Sequence, residues 1–357
     1  AQVSYSSEPA ATLGAGGGGG DGHGDGHGGG HGHGHAGWGP GIVFPWADME
    51  AMKSHNPAEY DLVSGKVAYL NSTFFWIRNL IYVVFWAFAG RWYLKRSTAQ
   101  DESGEVGLTS TMQKWSGPMA IGFGLTITFA AFDWIMSLSP GWFSTMFGVY
   151  FFAVSVTGFF SCVLVLVYFL QRAGRVREAI TREHYHDLGK LLFAFGVVFW
   201  AYIGFSQYML IWYANIPIET SWFFPRQLGS WFWVSHILIF GHFVLPFLLL
   251  VSRWPKRLRG SIALIAGWMV LMLCVDVYWL VIPTVPEVAL AEAETYDQLV
   301  AAVTPASIGW QLNVVDFVLP VSMLSLLLSG TMFNLRRCSL VPISDPRLSE
   351  SMSFENY

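Results

Sequence analysis

The sequence predicts an all-α, polytopic membrane protein with seven transmembrane helices, and three observations carry the prediction. The 357 residues are 53% hydrophobic and 17% aromatic but only 12% charged, with a mean hydropathy of +0.43, a balance that suits a lipid-facing surface better than a soluble core. Seven apolar runs each approach or exceed the ~20 residues that a helix needs to cross a bilayer. Lysine and arginine gather on one side of those runs. A soluble catalytic role finds no support, since there is no nucleotide-binding loop, nucleophile motif or basic nucleic-acid patch.

Residues 1–40 are low in complexity and read as a disordered segment, because glycine this dense loses too much backbone entropy on ordering. Its histidines (His23, His27, His31, His33 and His35) suit a transition metal in the loose way of any His-rich tract, and a solvated linker fits them as well. Residues 41–70 read as an ordered surface segment with a Pro45–Trp46 elbow. The spans follow at 71–92 (A), 116–137 (B), 145–170 (C), 190–213 (D), 229–252 (E), 260–282 (F) and 307–333 (G), and residues 334–357 form a tail. Cys162, Cys274 and Cys338 are isolated, so disulfide frameworks, zinc clusters, iron–sulfur clusters and covalent haem attachment lack ligand motifs.

Charge sets the orientation. The A–B loop carries Arg91, Lys95, Arg96 and Lys114. The C–D loop carries Arg172, Arg175, Arg177, Arg182 and Lys190. The E–F loop carries Arg253, Lys256, Arg257 and Arg259, and the tail Arg336, Arg337 and Arg347. The opposite side has Lys53, Lys66 and Arg226. The tail and the three basic loops are therefore expected in the cytoplasm. The Gly/His-rich segment and the acidic F–G loop (Glu287, Glu292, Glu294, Asp297) are expected outside. With residues 1–40 outside, a cytoplasmic start implies an odd number of spans upstream.

The stretch from Tyr185 to Glu219 is the most informative. His184, His186, Asp187 and Lys190 form a polar, titratable collar at the start of span D, of which His186, Asp187 and Lys190 suit a cytoplasmic entry for protons, and Tyr202 and Gln207 lie within its apolar run. Such groups cost energy in lipid and are expected to face protein, water or a partner. The other spans add Arg78, Asp133, His236, His242, Asp276, Tyr278, Gln311, Asn313 and Asp316, nearly all in the outer half, with His242 at the middle. Two readings fit. One is a proton path through Asp133, Tyr202, Gln207, His236, His242, Asp276, Tyr278 and Asp316, in which a wet outer layer leads to His242. The other is structural, with Arg78 pairing with an acid to lock two helices. The hydroxyls of Thr126, Thr157 and Ser161 are expected to bond their own helix backbone. His236 and His242, six residues apart, point about 240° apart around a helix and are not expected to share one ion.

Several long motifs occur here in one order: PWAD (45–48), KVAYLNSTFFWIRNLIY (66–82), TFAAFDWIMSLSPGWFSTMFGVYFF (128–152), EHYHDLGKLLFAF (183–195), YIGFSQYMLIWYANIPIET (202–220), FGHFVLPFLLL (240–250), DVYWLVIP (276–283) and the tail PISDPRLSESMSFENY. Over residues 41–357 the chain resembles the F-type integral subunits (ActF) of bacterial alternative complex III, of the NrfD/PsrC-like membrane family. The resemblance implies an NrfD-like fold of ten helices, two four-helix bundles and two flanking helices. Spans A and B (71–137) then form part of the first bundle, C to F (145–282) the complete second bundle, and G a flanking helix. It further implies the bacterial inner membrane, with residues 41–70 periplasmic. It implies a respiratory complex that oxidises menaquinol and passes electrons through iron–sulfur clusters and c-type haems in partner subunits. The F-type subunit itself carries no redox centre or cofactor, and quinol binds the paralogous C-type subunit. Asp133, Gln207, His236, His242 and Asp276 match polar positions of the family's motifs. The implied role is proton movement coupled to quinol oxidation, or scaffolding of the complex. A third reading makes the outer His/Asp/Gln layer a direct quinol site, since a quinone headgroup needs hydrogen-bond partners near one interface.

Overall fold

A 3₁₀ turn at Pro45–Ala47 opens the ordered chain, followed by α1 (Met49–His55) and α2 (Pro57–Ser64). The computed structural model describes residues 43–283 and 313–355, except positions 56 and 337. The Gly/His-rich segment, the acidic F–G loop, Gln311 and the first residues expected of span G lie outside the described residues. Trp46, Met52, Val63 and Leu70 pack with Phe75 in one small core, so this segment is seated on the adjoining end of the next helix.

Seven helices are long and apolar enough to cross a membrane, and among the described residues there is no β-strand. They are α3 (Ser72–Ser103), α4 (Gly107–Trp134), α5 (Met146–Arg172), α6 (Arg182–Ala214), α9 (Trp231–Val251), α11 (Arg259–Val281) and α12 (Val314–Leu335). Short helices α7 (Pro217–Thr220), α8 (Phe224–Gln227) and α10 (Arg253–Arg257) bridge their ends, and α13 (Leu348–Met352) lies in the tail. Such a chain is a multi-pass membrane protein.

Three boundaries differ from expectation. Spans A and B run on as helices through the basic stretch read as a loop. The side chain of Asn71 caps α3 at its start, and Gly104 ends it at φ 68°, a left-handed conformation that glycine adopts without strain. The buried Gln100 then donates to the Glu105 carbonyl (3.1 Å) and Thr109 Oγ1 (2.7 Å), closing a tight helical hairpin. Charged residues such as Lys95 and Arg96 are good helix formers, so polarity ended the apolar run without ending the helix. Span D likewise begins earlier, at Arg182, where Thr181 and His184 form a capping box.

Helix α5 packs on α4, α6 and α11; α6 also meets α9, and α9 meets α11, which closes a ring of four helices. Two apolar clusters fill this ring. One, around Trp142, Phe147, Trp222 and Leu280, lies toward the expected outer end, and the other, around Leu164, Leu192, Leu250 and Met269, toward the inner end. Both α6 and α9 switch to π-helix midway, at Leu192–Phe199 and Leu238–Val244. Helix α12 buries no side chain; one face (Asp316, Pro320, Leu324, Leu335) is half-covered, and most of its other apolar residues are exposed.

Candidate functional site

Between the two apolar clusters sits a polar group drawn from all four helices of the ring. Asp276, on α11, is fully buried. Tyr150, on α5, donates its hydroxyl to Oδ1 at 2.6 Å, and Trp200, on α6, donates Nε1 to Oδ2 at 2.8 Å. His242, on α9, is also fully buried and stacks face to face on Trp200, with centroids 3.9 Å apart and planes at 13°. Its Nδ1 lies 3.9 Å from Asp276 Oδ2, and neither ring nitrogen makes a hydrogen bond among the described residues.

This geometry has definite chemical capacity. A separation of 3.9 Å is not a hydrogen bond, but an approach of about 1 Å makes one. A neutral imidazole carries one donor and one acceptor, and the carboxyl group can hold or accept a proton. The pair therefore has two isomeric states: carboxylic acid with neutral imidazole, and carboxylate with imidazolium. Transfer moves one proton and changes no other bond. Tyr150 and Trp200 support the buried carboxylate with two donors, which offsets part of its burial cost.

A second buried group lies between α3 and α4. Arg78 grips Asp133 through two bonds of 2.8 Å, Nε to Oδ2 and Nη2 to Oδ1. Tyr82 donates to Asp133 Oδ2 at 2.8 Å, and Arg78 Nη1 donates to the Tyr69 carbonyl at 3.0 Å. The guanidinium carbon lies 3.9 Å from the centre of the Tyr69 ring and 4.3 Å from that of Phe74. Burial and then the Asp133 carboxylate push the Tyr69 phenol above its ordinary range. Asp133 thus has the lock geometry expected for Arg78, and it bonds none of the residues around Asp276.

The remaining expected path residues are dispersed. Tyr202 is 64% exposed and turns away from the ring interior, because the buried stripe of α6 runs Trp200, Ile203, Gln207, Ile211. His236 is half-buried, donates Nδ1–H to the carbonyl of Phe232 on its own helix at 2.7 Å, and lies tilted at 41° against the Phe232 ring. Neither Tyr202 nor His236 bonds the group around Asp276 among the described residues. His236 and His242 do point to different sides, as expected. Gln207 is buried, and its Nε2 has no partner among the described residues. Tyr278 donates to Asp316 Oδ2 at 3.4 Å, and Asp316 accepts from the Asn313 backbone at 2.9 Å, so these residues join α11 to the capped start of α12. At the other end, His186 is buried with Nδ1 4.0 Å from Glu183 Oε2, while Asp187 and Lys190 pair at the surface at 2.9 Å. Thr157 and Thr126 bond their own helix backbone as expected; the buried Ser161 hydroxyl has no partner among the described residues.

Sequence reasoning missed three residues. Tyr150 and Trp200 looked like members of an aromatic-rich lipid surface. Arg226, which the sequence offers only as a mark of sidedness, is buried. It stacks on Trp222 and donates to the carbonyls of Trp222, Trp279 (3.2 Å) and Leu280 (2.8 Å). The last two carbonyls belong to the terminal turn of the helix that carries Asp276, so a cation caps that end. One cue was available: Arg226 is the one basic residue between spans D and E, in a stretch otherwise rich in aromatics.

Among the described residues, no group of three His, Cys, Asp or Glu side chains converges to hold a metal ion. Comparison with known protein families and with curated proteins returns no match.

Proposed function

We propose that this chain is an integral membrane subunit of a menaquinol-oxidising respiratory complex of the alternative complex III type, in the bacterial inner membrane with its tail in the cytoplasm. In this reading it holds no redox centre of its own. It moves protons in step with quinol oxidation in a paralogous C-type subunit, whose iron–sulfur and c-type haem partners carry the electrons. The motifs quoted above support the family, and the ring of α5, α6, α9 and α11 is the counterpart of its second four-helix bundle. The observation that carries the proton role is the juxtaposition of Asp276 and His242, both fully buried in the middle of that ring. Carboxylates and histidines in such places are costly and serve proton relays in pumps.

A purely structural role is the second reading, and the closed Arg78–Asp133 pair favours it for the α3–α4 half. Direct quinol binding is the third reading, and a quinone-shaped cavity open to lipid beside His236 or Asp276 would favour it. Two cavities, about 280 Å³ beside Phe143 and about 1010 Å³ between α4, α5, the start of α6 and the tail, lie elsewhere.

The test is the pair of changes Asp276→Asn and His242→Ala in the complete complex, reconstituted in sealed vesicles. The proton-to-electron ratio is expected to fall while quinol oxidation and assembly persist. An unchanged ratio would refute the proton role, and loss of assembly before any loss of coupling would favour the scaffold.

A further inference from the structure

The two π-helical segments lie against each other within the ring, and His242 belongs to one of them. A π turn is rare, is bonded i to i+5, and leaves its helix short of regular backbone partners where it meets α-helix. Here two side chains from neighbouring helices reach those segments. The Trp268 indole on α11 donates Nε1 to the Gly241 carbonyl at 2.8 Å. The Thr157 hydroxyl on α5 lies between the carbonyls of Ala153 (2.8 Å) and Gly196 (3.3 Å). Glycine at 241 permits the approach, since a Cβ there would meet Met272 Sδ at 2.7 Å.

We propose that Trp268 is a positioning residue that holds α9 in its π register and thereby sets the reach of His242 to Asp276. Gly241 is the residue immediately before His242, so the indole clamps the backbone at the histidine itself. Removing a one-residue widening turns one half of a helix against the other by about 100° and shifts it by about 1.5 Å. The present gap between Nδ1 and Oδ2 is 3.9 Å, so a movement of that size decides whether a proton can pass. Trp268 is 38% exposed, so exchanging its ring for a smaller one leaves no sealed hole in the core. The assignment rests on Asp276 and His242 being the proton-holding pair, and its test is built to fail separately from that reading.

The experiment is infrared difference spectroscopy of the Asp276 carboxyl group in the full chain, with Asp276→Asn identifying its band, alongside the proton-to-electron ratio of the complete complex. Trp268→Phe keeps an aromatic ring and removes the donor. The expected result is a shifted Asp276 band and a lowered ratio at unchanged assembly. Gly241→Ala, which forces the same turn off α11, is expected to shift the band in the same way and is scored instead if Trp268→Phe does not accumulate. An Asp276 band identical to wild type in the variant scored overturns the proposal, whatever happens to the ratio. A shifted band, with Asp276→Asn leaving the ratio intact, upholds the latch and removes the proton role.

Discussion

Replacing one partner of the Arg78–Asp133 pair should damage the protein far more than replacing both. In Asp133→Leu the guanidinium stays buried, losing two charge-assisted bonds of 2.8 Å and keeping the Tyr69 carbonyl and two aromatic faces. Stranding one member of a buried pair typically costs about 3–5 kcal/mol. That is about two to four orders of magnitude in the ratio of folded to unfolded protein. Arg78→Met is expected in the same range, because it strands the carboxylate with Tyr82 alone. The double change Arg78→Met, Asp133→Leu removes both charges and fills the space with apolar atoms, so its cost is expected below that of either single change. Equilibrium unfolding in mixed micelles measures all three. The reasoning is refuted if either single change costs under ~1 kcal/mol, or if the double change costs the sum of the two.

Two further outcomes follow from individual contacts. Tyr82→Phe deletes a single bond to a carboxylate and is expected to cost about 1.5–3 kcal/mol. In the Asp133→Leu background the same change should cost almost nothing, and equal costs in both backgrounds would mean that the bond is not made. Lys256 is buried, donates Nζ to the Leu250 carbonyl at 2.7 Å, and is held below the usual lysine range by burial and then by the charge of Lys190. Its folded-state value thus lies below its unfolded one. The native chain releases this proton first, and stability gains as pH climbs from the folded value toward the ordinary lysine value. Lys256→Met should flatten that alkaline gain in unfolding measurements, and an unaltered slope would sink the argument.

The seven spans were legible because hydrophobic length is a one-dimensional property that a bilayer enforces. The ends of α3 and α4 were not, since Lys95, Arg96 and Gln100 satisfy helix propensity while failing a hydropathy threshold. Arg78 was legible as a lock because an arginine inside a span demands a counter-charge; its choice of Asp133 depends on how two helices face each other. Within α6, the spacing of Trp200, Ile203, Gln207 and Ile211 separates Gln207 from the outward Tyr202, a distinction that helical periodicity alone contains. The roles of Tyr150 and Trp200 were hidden for a different reason. Hydropathy scores an indole or a phenol as membrane filler, and only packing reveals where its N–H or O–H points.

The stack of His242 on Trp200 has a practical corollary. An imidazolium lying flat against an indole perturbs its excited state, as any cation held over that π-face does. Trp200 is therefore a built-in optical probe of the charge on its neighbour. Subtracting the emission of a Trp200→Phe sample from that of the parent isolates one chromophore among the seventeen tryptophans of the sequence. Followed during turnover of the complex, that difference tests the proposed proton role directly: the role requires a change of charge on His242, and a constant difference would count against it.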